Sequence, residues 1–317
     1  MRRRRKPRAM KLPIADPKAA VTLSFAPEWI ALCVLALVDV LFATKIGFHL
    51  QMRWQDFGML ATVFAVGMAL RLFGQTRGGL IAEFLALSLA MAIGFTIFSY
   101  MCMAVSGPLA DAKLLAIDRA MGFDWMAGWK LISVHPLAMR IAGMLYQSLT
   151  WQAVYLCILL GLMLRTRNMR ETFWAIFLSA LITNLIAIGL PAFGPFQTFG
   201  LASHGEYLPD MKYLKSGADL TFALSKMTGV ISFPSFHTVM ALGYTYGLRK
   251  TGIIGYGIAA LNAVMLFTVP FIGGHYLIDM IAGAATLIFA VMLVKLAPML
   301  WRRIALRTSH EPAAAVA

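Results

Sequence analysis

The segment Gly274-His275-Tyr276-Leu277-Ile278-Asp279 sets a histidine and an aspartate four residues apart. At that spacing a helix stacks the two on one face, a turn apart, so Asp279 can accept the imidazole N–H of His275. Such a bond selects the tautomer, aims the second ring nitrogen outward and stabilises an imidazolium or a covalent adduct. Gly273 and Gly274 just before it let backbone approach a ligand closely. A second segment, Ser232-Phe233-Pro234-Ser235-Phe236-His237-Thr238, has serines suited to capping a helix and a proline suited to its first turn, which puts His237 near a helix start. Two imidazoles and a carboxylate beside helix N-termini, whose free N–H groups attract anions, suit a phosphate ester. One group would attack phosphorus and another would protonate the leaving oxygen. Taken singly, the same residues also fit helix-to-helix hydrogen bonds or a pair of metal ligands, although no HExxH or cysteine cluster is present to complete a zinc site.

The elements that must position these groups are set by composition. The chain has 317 residues, 60% hydrophobic and only 13% charged, with a mean hydropathy of +0.75. Those values exclude a soluble enzyme, a disordered chain and a fibrous repeat. Runs of about 20 apolar residues, enough to cross roughly 30 Å of hydrocarbon, fall at about 27–47, 56–73, 79–104, 140–164, 171–190, 234–249, 252–271 and 276–297. The expected fold is therefore all-α, a polytopic transmembrane helix bundle of about eight spans. In that topology His237 and His275 reach the same membrane face after a full re-crossing of the bilayer. Cys33, Cys102 and Cys157 lie inside apolar runs with no paired spacing and read as small buried hydrophobes.

The formal net charge of +14 is unevenly spread: Arg2 to Arg5, Lys6, Arg8, Lys11 and Lys18 crowd the N-terminus, opposed there only by Asp16. Such a run beside an apolar segment reads as a cytoplasmic anchor drawn to anionic lipid, not as a nucleic-acid surface. With the N-terminus inside, the inner segments also hold Arg71, Arg77, Arg165, Arg167, Arg170, Arg249, Lys250, Lys295, Arg302, Arg303 and Arg307. The positive-inside rule thus predicts both termini in the cytoplasm and the histidines facing away from it. The expected division is a basic cytoplasmic segment (1–26), N-terminal spans with an interfacial loop (27–139), a catalytic membrane core (140–300) and a cytoplasmic tail (301–317). Between Ala110 and Val134, apolar clusters alternate with Asp111, Lys113, Asp118, Arg119, Asp124, Trp125, Trp129 and Lys130. This pattern predicts one or two amphipathic helices in the membrane interface. The other long outer segment, about 191–233, is rich in proline and glycine and reads as irregular, without a helix of its own.

Phe233-Pro-Ser-Phe-His-Thr238 resembles the second signature of the type 2 phosphatidate phosphatase superfamily, and Gly273-Gly-His-Tyr-Leu-Ile-Asp279 resembles the end of its third, over about residues 140–297. The resemblance implies that His275 is the nucleophile forming a phosphohistidine, Asp279 its orienting partner and His237 the acid for the leaving alcohol. It also implies two phosphate-clamping arginines, and both are missing: Val269 stands where the third signature has arginine, and Pro191-Ala-Phe-Gly-Pro-Phe196 occupies the place of the first signature. Phosphate would then be held by backbone N–H groups, lysines or hydroxyls. Ser235, Lys226, Gly274 and Arg140 are the candidates, with Lys212 and Lys215 behind them. Histidine signatures without the arginines are more similar to the inositol phosphorylceramide synthase branch, which moves phospho-headgroups between lipid alcohols.

The function so expected is a lipid phosphatase or inositolphosphotransferase-like enzyme, without metal or cofactor, acting on a lipid phosphate or phospholipid. The expected location is a bacterial inner membrane, with the site toward the periplasm. Tyr146, Gln147 and Asn184 are polar positions that could line its pocket. A transporter using the histidines as proton-linked groups, or an inactive membrane scaffold, are the alternatives.

Overall fold

The computed structural model describes residues 23–217 and 219–308. Most of the basic N-terminal segment and the end of the tail, which carry the anchor reading, lie outside the described residues. Long apolar sequences become helices here because lipid offers no partner to a free peptide group, so every N–H and C=O must be satisfied within the segment. The bundle consists of α1 (Ala26–Ile46), α2 (Gly58–Leu72), α3 (Thr76–Ala104), α4 (Asp111–Ala120), α5 (Trp125–Ser133), α6 (Pro136–Leu162) and α7 (Thr166–Gly189). It continues through α8 (Pro195–Thr198), α9 (Leu208–Lys215), α10 (Phe236–Gly247), α11 (Ile253–Leu266), α12 (Val269–Ile272) and α13 (Leu277–Thr308). A short parallel pairing joins β1 (His49–Gln51) to β2 (Thr221–Ala223), with Leu50 opposite Phe222.

Six of the eight expected spans are long and apolar enough to cross a bilayer: α1, α2 with the turn before it, α3, α6, α7 and α13 to Ala297. The sixth and seventh are helices but shorter than expected. At a rise of 1.5 Å per residue, the 12 residues of α10 and the 14 of α11 cover only about 18 and 21 Å. Their apolar composition continues past both ends, but Pro234 precedes α10, and the Arg249-Lys250-Thr251-Gly252 turn separates the two helices. The chain therefore makes a short helical hairpin, with α10 packed on α7 and α13 and with α11 on the outside, where Ile253, Tyr256 and Val264 are exposed.

Helix α3 is the hub, packing on α1, α2, α6 and α7, while α7, α10 and α13 form a second packet against which α6 and α11 close. At one end of that packet Glu171 accepts hydrogen bonds from Arg167 Nε (2.7 Å), Tyr246 Oη (2.9 Å) and Arg249 Nη2, tying α7 to α10. At the other end the expected interfacial segment forms α4 and α5, and Asp124 caps α5 by accepting from Ala127 N at 3.0 Å. The segment after α7 does contain a helix, α9, contrary to the irregular reading. Pro209 lies in its first turn, where a missing N–H costs nothing because that group has no intrahelical partner anyway. Cys102 and Cys157 are buried as expected, but Cys33 is exposed on the outer face of α1.

Candidate active site

The two sequence motifs meet through their backbones. Ser235 N donates to the carbonyl of Asp279 at 2.9 Å, and a Cβ at Gly283 would lie only 2.4 Å from the carbonyl oxygen of Ser235. Gly283 is one turn beyond Asp279 on the same face of α13, so the absent side chain is what lets the start of α10 reach that helix. The Ser235 hydroxyl caps α10, accepting from Thr238 N at 3.4 Å. This contact brings the His237 and His275 rings to a centroid separation of 5.8 Å, at an interplanar angle of 61°.

The rings have unlike partners. His275 is buried, and its Nδ1 lies 3.4 Å from Asp279 Oδ2, which also accepts from Tyr276 N at 2.9 Å. With Asp279 ionised, the ring would carry its proton on Nδ1 and present the Nε2 lone pair. Burial pushes the His275 imidazole down to about 4, which keeps it neutral and nucleophilic near pH 7. His237 is half-buried, and its Nδ1 meets the hydroxyl of Tyr146 at 3.1 Å, with the two rings stacked at 4.4 Å. Tyr146 is the eleventh residue of α6, so this contact lies about 15 Å along that helix. The pair therefore lies about three turns in from the start of α6.

Helix α4 holds this arrangement from above with two carboxylates that the sequence reading had left as part of an interfacial pattern. Asp111 accepts from Gly194 N (2.7 Å), Phe193 N (3.0 Å) and Tyr276 Oη (3.2 Å). Asp118, fully buried, accepts from Leu277 N (2.8 Å) and Ile278 N (2.9 Å), the first amide groups of α13. Burial raises Asp118 above its ordinary range, and these two N–H groups oppose that shift. The signal was available: Asp111 and Asp118 share the i, i+3, i+7 stripe of buried Leu114, where an acid has no reason to sit unless it is used. One expectation is corrected here, because the α13 N-terminus, read as open to an anion, is closed by Asp118 and Asp279.

The remaining candidates are dispersed. Lys226 and Arg140 are exposed, and no contact ties either to the histidines. Lys212 is exposed too, and Lys215 donates to the carbonyls of Ser106 and Gly107 at the end of α3. Gln147 points outward, and Asn184 donates to the Ala180 carbonyl of its own helix. Gly274 lies in the site with φ +65°. Among the described residues, no lysine or arginine bonds to His237, His275, Asp279, Asp111 or Asp118. Three groups that sequence reasoning missed, Gly194, Tyr207 and Ser232, lie around Gly274: a Cβ at Gly194 would meet Gly274 O at 2.4 Å, Ser232 Oγ at 3.1 Å and Tyr207 Oη at 3.2 Å. Gly194 has φ +85° and ψ 175°, a region open essentially to glycine alone, and forcing another residue there costs about 1–3 kcal/mol. Gly194→Ala is expected to lower the melting temperature of the detergent-solubilised protein and to reduce activity at least tenfold; an unchanged melting curve would mean the loop yields freely.

No curated protein and no solved structure gives a match to this chain. A sequence model of the PAP2 superfamily matches residues 112–293, a stretch that begins inside α4, one residue after Asp111, and takes in both histidine motifs. That match covers more than half of the chain, which therefore belongs to the PAP2 superfamily.

Proposed function

We propose that this membrane protein cleaves or transfers the phosphate-bearing headgroup of a lipid through a phosphohistidine. The observation that carries the reading is the pair of imidazoles at 5.8 Å with different supports, Asp279 behind one and Tyr146 behind the other. A carboxylate stabilises the positive charge that a ring acquires when it bonds to phosphorus, so His275 is the nucleophile. With only a phenol at Nδ1 and His275 beside it, His237 is charged only when an anionic ester lies against it, which suits it to lend that proton to the leaving oxygen and take one back. In the first step His275 Nε2 bonds to phosphorus, the P–O bond to the leaving alcohol breaks, and His237 protonates that oxygen. In the second, an alcohol or water attacks phosphorus, His237 removes its proton, and the N–P bond breaks.

Charge favours transfer of a diester over hydrolysis of a monoester. A phosphomonoester carries about −1.5 to −2 charges at neutral pH, whereas a diester carries one, and among the described residues no lysine or arginine bonds to the site residues to offset the larger charge. This supports a phosphotransferase similar to the inositol phosphorylceramide synthase branch. The basic residues Arg165, Arg167, Arg170 and Arg249 lie at the end of the packet opposite the histidines, which supports a site facing away from the cytosol and both termini within it.

The test is to incubate purified protein with labelled phospholipids and labelled lipid phosphates, with and without alcohol acceptors. A labelled diester formed only with acceptor is the expected result, and chelator should leave its rate unchanged. Free phosphate from a lipid phosphate would make the enzyme a phosphatase. Flux across sealed liposomes without headgroup release would overturn the enzymatic reading.

A further inference from the structure

The site described above has a nucleophile and a proton donor, but among the described residues no arginine bonds to it to hold the non-bridging phosphate oxygens. We propose that Tyr207, with Ser232 beside it, fills that position, its hydroxyl donating to a non-bridging oxygen of the ester held between His275 and His237. The inference rests on the phosphoryl-transfer reading of that pair.

Tyr207 precedes α9 and reaches back into the His275 loop. Its hydroxyl is 3.2 Å from the carbonyl of Phe193 and 3.5 Å from that of Gly274. Both contacts are at the long end for an O–H donor, and one proton cannot serve both. A phosphate oxygen is a better acceptor, because hydrogen bonds to a charged oxygen are roughly twice as strong as neutral ones. Glycine is what lets these hydroxyls close on the His275 loop. A Cβ at Gly274 would lie 2.6 Å from Tyr207 Oη, and the Gly194 position faces Tyr207 Oη, Ser232 Oγ and Gly274 O together. Ser232 is 4% exposed, and its hydroxyl lies beside Asp279 without making a hydrogen bond of good geometry. A buried hydroxyl left unpaired is costly unless something occupies it during function. Burial first, then Asp279 and Asp111, hold the Tyr207 phenol above its ordinary range, so it stays protonated and serves as a donor. Two neutral donors match a singly charged diester, and they make Tyr207 a determinant of substrate charge.

The experiment measures transfer from a fluorescent phospholipid and from its analogue with one non-bridging oxygen replaced by sulfur, which accepts hydrogen bonds poorly. In the unaltered protein one phosphorothioate diastereomer should react distinctly more slowly than the oxygen substrate. Tyr207→Phe, which keeps the packed ring, should lower kcat/KM about 10- to 100-fold and shrink that sulfur effect, with the melting temperature held. Ser232→Ala should act in the same direction by a smaller factor, and it carries the test if Tyr207→Phe does not fold. A variant that loses activity but keeps the full sulfur effect would reduce Tyr207 to a packing role and overturn the proposal. If His275→Ala is inactive while Tyr207→Phe matches the unaltered protein on both substrates, this inference fails and the phosphohistidine reading stands; an active His275→Ala would remove both.

Discussion

Replacing His275 with alanine is expected to abolish turnover, leaving no more than about one part in 10⁴ to 10⁶ of the rate, the usual cost of removing a nucleophile that acts as a unit with its partners. The side chain has no substitute nearby. Its neighbour His237 lacks a carboxylate, its Nδ1 being held by the Tyr146 hydroxyl at 3.1 Å. The lost ring also leaves space between Asp279 and Gly273, whose missing Cβ would lie 2.9 Å from His275 Cδ2, so added imidazole should restore part of the activity. The measurement is headgroup transfer by the purified variant, together with acid-labile radiolabel retained on the protein after a quench. The unaltered protein should carry label and the variant none. A variant that turns over normally would end the assignment of His275.

Asp279→Asn should be nearly as damaging, by about 10³ to 10⁴ in kcat, for a different reason. Asp279 Oδ2 faces both His275 Nδ1 at 3.4 Å and Tyr276 N at 2.9 Å. An asparagine keeps the shape, and its carbonyl in the Oδ2 place can still accept from both groups, but the negative charge that stabilises an imidazolium or an N–P adduct is lost. In a catalytic triad the same change, aspartate to asparagine, costs about 10⁴ in kcat. Stability should move the other way or not at all. Asp279 is fully buried, and its Oδ1 has no hydrogen-bond partner, so replacing a charge with a neutral amide relieves desolvation. Loss of rate with an equal or higher melting temperature is the expected combination. Loss of both together would make Asp279 a fold residue instead.

What the sequence determined by itself is local. The HxxxD spacing, the cap before His237 and the apolar runs follow from helical period and from the need to satisfy backbone in lipid, and neither depends on distant residues. The same locality explains why α4 and α5 were legible as interfacial helices although their purpose was not. Asp111 and Asp118 looked like part of an amphipathic pattern until α4 was seen lying over the Phe193–Gly194 loop and the start of α13. The tertiary structure alone decided which distant groups share the site: Tyr146 behind His237, Tyr207 and Ser232 beside Gly274, and Gly283 beneath Ser235. It also decided that Lys215 is committed to the end of α3. Such facts depend on side chains from segments up to 165 residues apart, as with Asp111 and Tyr276, meeting at distances of a few ångströms, and spacing along one helix carries no information about where another helix will cross it.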